Sequence, residues 1–168
     1  MARAARATQI TKIDAAPRAP VSLDDADRRI IEALQSDGRR AYGSIAEDVG
    51  LSEAAVRRRV QRLRDAGALD IVAVTDPLQL GFHREAMLGI KVQGDVRSVA
   101  DEIAAIDEAI YVVLCAGSFD ILVELITEDD DHLVHVLNDQ IRAVEGVRQV
   151  ETFLYLKLAK QTYSWGTR

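Results

Sequence analysis

Cysteine occurs once in the 168 residues, at Cys115, which rules out an intrachain disulfide framework and fits a reducing, cytoplasmic location. No apolar run approaches the roughly 18 residues of a membrane span, so no membrane is expected among the partners. The opening MARAARATQITKIDAAPRAP is rich in Ala and Arg and poor in acid, but lacks the apolar stretch of a secretory signal. Residues 1–21 are expected to form a disordered tail closed by Pro17 and Pro20, its four basic residues free to brush against phosphates; a transit peptide is the other reading. Converging metal ligands are also lacking. His132 and His135 stand three apart beside Asp129, Asp130 and Asp131, but carboxylates that open a helix read as partners of its dipole. Cys115 lies in an apolar strand without a nearby His and reads as a core residue, and the sheet offers no acid/base pair or nucleophile. Neither an enzyme nor a metal- or cofactor-dependent protein is expected.

What the chain does have is an uneven distribution of charge. The net charge is -6, yet residues 1–75 carry 13 Lys+Arg against 11 Asp+Glu, whereas residues 76–168 carry 8 against 16. The acidic second part is a poor surface for a polyanion; the first remains available for one. Five arginines (Arg57, Arg58, Arg59, Arg62 and Arg64) crowd into LSEAAVRRRVQRLRDAG, residues 51–67.

Periodicity places those arginines on a helix. Asp24 can cap a first helix whose apolar stripe is Ile30, Ile31 and Leu34 and which Gly38 closes. A shorter helix is expected from about Ser44 to Val49, stopped by Gly50, and a third begins after Ser52 and ends at Gly67. Two helices joined by a tight Gly-Leu-Ser connection form a helix-turn-helix pattern. The β-branched LDIVAVTDP that follows predicts a strand, hence a winged variant, stopped by Asp76-Pro77. The rest parses as strand (85–94), helix (95–107), strands (109–117 and 119–127) around a Gly117-Ser118 turn, helix (129–146) and strand (147–160). The fold class is therefore α+β: a winged helix-turn-helix followed by a ferredoxin-like βαββαβ sheet with both helices on one face.

At 100° per residue, Val60 and Leu63 fall within about 40° of Val56, and the three define the buried stripe of the third helix. Arg58, Gln61 and Ala54 then point away, with Arg57 and Arg62 on the shoulders and Ser52 as the cap. Small side chains near the N-terminal end let the backbone approach a groove floor, and long donors behind them reach phosphates or guanine edges. The candidate DNA-binding set is Ser52, Ala54, Arg57, Arg58, Gln61 and Arg62. Gln61 is open between reading adenine and doing nothing. Arg59, close to the apolar stripe, is assigned instead to pairing with an acid such as Asp27.

Three stretches, LDDADRRIIEALQSDGR (23–39), IAEDVGLSEAAVRRRVQRLRDAG (45–67) and CAGSFDILVEL (115–125), together resemble the Lrp/AsnC family of transcription regulators. The third is similar to the family's Gly-x-Tyr/Phe-Asp turn. The resemblance covers about residues 22–160 and implies a DNA-binding unit at 22–75, a linker at 76–84, a RAM (ACT-like) domain for effector binding and oligomerisation at 85–160, and a tail at 161–168. It implies a homodimer formed by joining sheets, association to a tetramer or octamer, and an amino acid or related metabolite bound between dimers. Carried across by position, Gly117, Phe119 and Asp120 would line that effector site together with Ser118. Leu114, Thr127 and Phe153 would shape it from neighbouring strands. Asp120 is open between holding an ammonium group and stabilising the turn, and Phe119 between effector contact and filling an interface. Ser118 and Phe119 depart from the commoner bulkier polar residue and Tyr. The rival reading is a metabolite-binding ACT-like protein whose N-terminal unit is a protein interaction module.

Overall fold

A computed structural model describes residues 21–162 and residue 167. The expected tail therefore lies almost wholly outside the described residues. Two compact units divide the chain after Ala73, with Val74–Ala159 forming the second. No helix among the described residues is long and apolar enough to cross a membrane.

The first unit is three helices: α1 (Asp25–Ser36), α2 (Tyr42–Val49) and α3 (Glu53–Asp65). A capping box starts α1. The Asp27 amide donates to the Asp24 carboxylate at 2.8 Å, and the Asp24 amide to the Asp27 carboxylate at 3.2 Å. Gly50, at φ 71°, takes the left-handed conformation that ends α2, and two residues later the Ser52 hydroxyl accepts the Ala55 amide to start α3. This tight connection makes the helix-turn-helix. Ile30, Leu34, Ile45, Ala46, Val56 and Val60 form the core, with Leu51 and Leu69 packed on it.

The strand expected at residues 69–76 is absent: the segment is irregular, and Ile71, Val72 and Val74 are exposed. A strand exists only by bonding to a second extended segment, and among the described residues this unit supplies none. The segment has the side chains for a wing, but no hydrogen-bond partner among the described residues of this unit. A 3-10 turn, Pro77–Leu80, follows, with Asp76 accepting the Leu78 amide.

The second unit is β1 (Arg84–Val92), α4 (Val96–Ile103), β2 (Ala109–Leu114), β3 (Ile121–Thr127), α5 (Asp130–His135, continued by a π-helical stretch, Val136–Ile141) and β4 (Val147–Leu154). The sheet order is β2-β3-β1-β4, antiparallel throughout, as the βαββαβ parse requires. Leu88, Ile90, Ile121, Val123 and Leu125 occupy one face and pack against Val99 and Ile103 of α4 and Leu133, Val136 and Ile141 of the last helix. Both helices thus cover the same face, as expected from sequence. The other face carries Met87, Gly89, Leu122, Glu124 and Ile126, with Phe153 opposite Met87 and Tyr111 opposite Glu124. Nothing among the described residues of this unit lies over it as a second layer.

Two connections differ from expectation. The strand expected to reach residue 160 ends at Leu154, because β1 begins at Arg84 and the Tyr155 amide to Glu85 carbonyl bond is the last rung available. The link between β2 and β3 is also longer than a two-residue turn: the Cys115 amide donates to the Asp120 carbonyl at 2.9 Å and closes a six-residue loop.

Ile45 is fully buried between α1 and α3, so Ile45→Ala should cost the helical unit about 2–5 kcal/mol, mostly as an unfilled cavity. Urea unfolding followed by helical circular dichroism checks this; a loss below about 1 kcal/mol would show that the site collapses and fills.

Candidate DNA-recognition and effector sites

Helix α3 is oriented by its apolar stripe. Val56, Val60 and Leu63 are 0, 2 and 0% exposed, which turns Ala54, Arg58 and Gln61 outward as the 100° spacing predicts. Ser52, whose side chain is occupied by its cap, is exposed at the start of the helix.

The arginines of α3 are not equivalent. Arg59 donates to Asp24 at 2.7 Å and to Asp27 at 2.8 Å, the structural role expected of it. Arg62, assigned from sequence to DNA alone, reaches the second oxygen of the same Asp27 carboxylate. Arg57 pairs with Glu53 at 2.7 Å, one turn back, and lies 5.3 Å from the centre of the Tyr42 ring. Gln61 donates to Asp65 at 2.7 Å. Among the described residues, Arg58 and Arg64 are the guanidiniums of α3 with no hydrogen-bond or ion-pair partner, and both are exposed. Arg58 also borders a shallow hollow with Leu51, Ala55, Arg59 and Arg62, floored by Asp24 and Asp27. Sequence reasoning passed over Arg64; its place in the last turn, about 80° from Val56, was the available signal.

Asp27 is 1% exposed. Burial by itself pushes its carboxyl up, but the hydrogen bonds from Arg62 and Arg59 outweigh that and, with the Asp24 backbone, hold it down at about 2. Arg59 is correspondingly raised, chiefly by Asp27 and then Asp24. The clamp therefore stays ionised at neutral pH.

In the second unit, the 115–120 loop gathers four of the seven expected effector residues, Gly117, Ser118, Phe119 and Asp120. Gly117 and Ser118 are exposed at its tip. One carboxylate oxygen of Asp120 accepts the Val92 amide at 2.8 Å, and the Asp120 amide donates to Ile90 at 2.9 Å, so the turn-stabilising role is filled. The other oxygen of Asp120 has no protein partner among the described residues. Phe119 meets Phe153 edge to face, ring centres 6.2 Å apart at 78°.

The sheet separates the remaining two. Leu114 pairs with Ile121 and Thr127 continues the buried series Ile121, Val123, Leu125, so both occupy register positions of the helix-covered face. Thr127 is fully buried, its hydroxyl 3.4 Å from the Asp129 carbonyl. Cys115, expected in the core, is instead exposed, its thiol donating to the Phe119 carbonyl at 3.1 Å. It falls in the loop because β2 stops at Leu114. His132 pairs with Glu108 at 2.9 Å and His135 with Asp139 at 2.7 Å, so the two histidines face different carboxylates. No group of three or more potential metal ligands converges among the described residues.

On the uncovered sheet face, Tyr155 donates to Glu124 at 2.8 Å, a pair that sequence reasoning missed. Burial and then that carboxylate push the Tyr155 hydroxyl up to about 12, and Glu85 is raised by burial and by Glu124.

Comparison with known proteins agrees with this two-part layout. The chain matches the family models of an AsnC-type helix-turn-helix domain over residues 23–64 and an Lrp/AsnC ligand binding domain over residues 85–165. It is 34% identical over 142 residues to the HTH-type transcriptional regulator FL11 of Pyrococcus furiosus, covering 83% of this chain and 93% of that one. Its fold is similar to that of Escherichia coli AsnC, with a TM-score of 0.76 at 26% identity, covering 84% of this chain and 97% of that one. A Neisseria meningitidis transcriptional regulator solved as a complex with L-Met gives the same TM-score and identity, over 85% of this chain and 96% of that one.

Because folding lowers the Asp27 pKa from 3.8 to about 2, its contribution is complete above pH 4 and is withdrawn as pH falls from 3.8 towards 2, a loss of about 2 kcal/mol. Acid titration of the helical unit should show that loss, and Asp27→Asn should be destabilised at neutral pH with a flatter acid limb. Equal acid limbs in the two proteins would remove Asp27 as the cause.

Proposed function

The chain belongs to the Lrp/AsnC family of transcription regulators, which are not enzymes, and from that premise we propose that α3 reads duplex DNA while the 115–120 loop receives an amino acid or a related metabolite. A helix-turn-helix implies DNA and the ligand-binding domain a small molecule; the residues that perform each task are our assignment. The carrying observation is Arg58. It stands outward, with no partner among the described residues, on a helix whose rotation is fixed by three buried residues.

Arg58, Gln61 and Ala54 are assigned to the groove floor, and Arg57 and Arg62 to phosphates. The last two keep their acid partners at no cost to this role, since their side chains remain 65% and 48% exposed and a phosphate can share the guanidinium. Residues 22–75 then act as the DNA-binding unit, 76–84 as connector and 85–160 as the effector and assembly domain, in the cytoplasm. Two copies join through the uncovered sheet face, where Tyr111 and Phe153 are half exposed. Their α3 helices enter successive major grooves about 34 Å apart on one side of the duplex. Further association to a tetramer or octamer raises the effective concentration of the remaining helices along the DNA.

The effector lies at the loop, with Gly117 and Ser118 offering backbone amides to its carboxylate and the free oxygen of Asp120 facing its ammonium group. The L-Met bound by the Neisseria regulator supports an amino acid as the ligand class. Its influence on DNA binding is limited to its differential affinity for two assembly states, about 1–3 kcal/mol.

Arg58→Ala should weaken duplex binding about tenfold or more while sedimentation shows the same assembly; unchanged affinity would remove Arg58 from the interface. Asp120→Asn keeps an acceptor for the Val92 amide but loses the charge. It should therefore abolish thermal stabilisation by amino acids and leave effector-free DNA binding intact, and a wild-type thermal response would refute the ammonium contact.

A further inference from the structure

Gly89 sits in the middle of β1, a position where glycine weakens a strand by removing packing and adding backbone freedom. Its neighbours Leu88 and Ile90 point into the helix-covered core, so residue 89 faces the other side of the sheet. There it is buried, although no helix among the described residues of this unit covers that face. What covers it is a ring from the effector loop. A methyl group added at Gly89 would come within 2.7 Å of three ring carbons of Phe119.

The ring has little room to escape. Phe153 meets it edge-on, and the backbone on either side is tied by Cys115 to Phe119, by Cys115 to Asp120 and by Asp120 to Ile90 and Val92. Those bonds also fix the amides and the carboxylate that the proposed site presents to an amino acid.

We propose that Gly89 is the seat of the 115–120 loop: Phe119 is a positioning residue that fills the space left by the missing side chain and so holds the loop in its ligand-ready shape. This rests on the effector reading given above and changes the part Phe119 plays in it, from touching the ligand to placing Gly117, Ser118 and Asp120. It also joins the loop to the uncovered sheet face through the contact of Phe119 with Phe153. A ligand that tightens the loop stiffens that face, and by linkage a copy docked there tightens the loop.

The test compares wild type with Gly89→Ala, Phe119→Ala and the double variant Gly89→Ala/Phe119→Leu, in which a smaller side chain leaves room for the methyl. Amide hydrogen exchange at Cys115 and Asp120 should accelerate about tenfold or more in each single variant, from crowding in the first and loss of the ring in the second. In the double variant it should return towards wild type. Phe119→Ala introduces no clash and gives the readout if Gly89→Ala fails to fold. Thermal shifts with each standard amino acid form the second arm. The upshift seen in wild type should be lost in Gly89→Ala and recovered in the double variant, with effector-free duplex binding unchanged in both. Wild-type exchange in Phe119→Ala, or a double variant no better than Gly89→Ala, overturns the seat. If no amino acid shifts wild type, the effector reading falls, and the exchange arm alone still decides the seat.

Discussion

Asp27 is a carboxylate with 1% exposure, and an ion that deep persists because Arg59 and Arg62 close on it from helix α3. The pair of bonds fastens α1 to α3 from outside the hydrophobic core, on the flank opposite to where Arg57 pairs with Glu53. Val56, Val60 and Leu63 fix the rotation of α3; the clamp adds a polar lock on one shoulder. Breaking such a pair by removing one member is costly, since the remaining charge is left buried without compensation. Four of the five arginines in the 51–67 stretch are thereby accounted for in different ways: two hold the helix in place, one is shared between Glu53 and Tyr42, and Arg58 stands free. Positive charge on this helix is partly structural and partly spare, and the spare part lies where a polyanion would meet it.

The second unit divides its labour by the two faces of one sheet. One face is sealed by α4 and the last helix and supplies the stability of the domain. The other keeps aromatic and aliphatic side chains half exposed, together with the Tyr155–Glu124 pair. The loop that closes β2 onto β3 lies at the border between these roles. Its backbone is bonded into β1, while its ring rests on the uncovered side, and these contacts are what the proposed coupling of the loop to the face between copies rests on.

The sequence revealed features set by helical or strand periodicity. The stripe of α3 and the alternation of β3 follow from 3.6- and 2-residue repeats, and the structure carries both at the expected residues. Asp27 as partner of Arg59 was legible too, because Arg59 lies beside the stripe facing α1. Features that depend on a distant partner were not. The β-branched 69–76 segment has strand composition but no pairing partner among the described residues, and β4 ends where β1 begins. That Arg62 shares the carboxylate with Arg59 depends on how close the two helices pack, which no local pattern encodes. Thr127 and Leu114 were expected to shape the effector site from neighbouring strands, whereas strand register gives both the helix-side parity, with Thr127 buried and Leu114 half exposed. Gly89 carried a readable sign, a lone glycine inside a strand, which commonly marks a close approach.

The central claim is that the outward arginines of α3 grip a duplex, and the salt dependence of duplex binding by the whole protein addresses it most directly. Neutralising about four phosphates per subunit should make the logarithm of affinity fall linearly with that of salt concentration, at about -0.9 for each phosphate engaged. Negligible affinity for every duplex at low salt, or affinity indifferent to salt, would contradict the account.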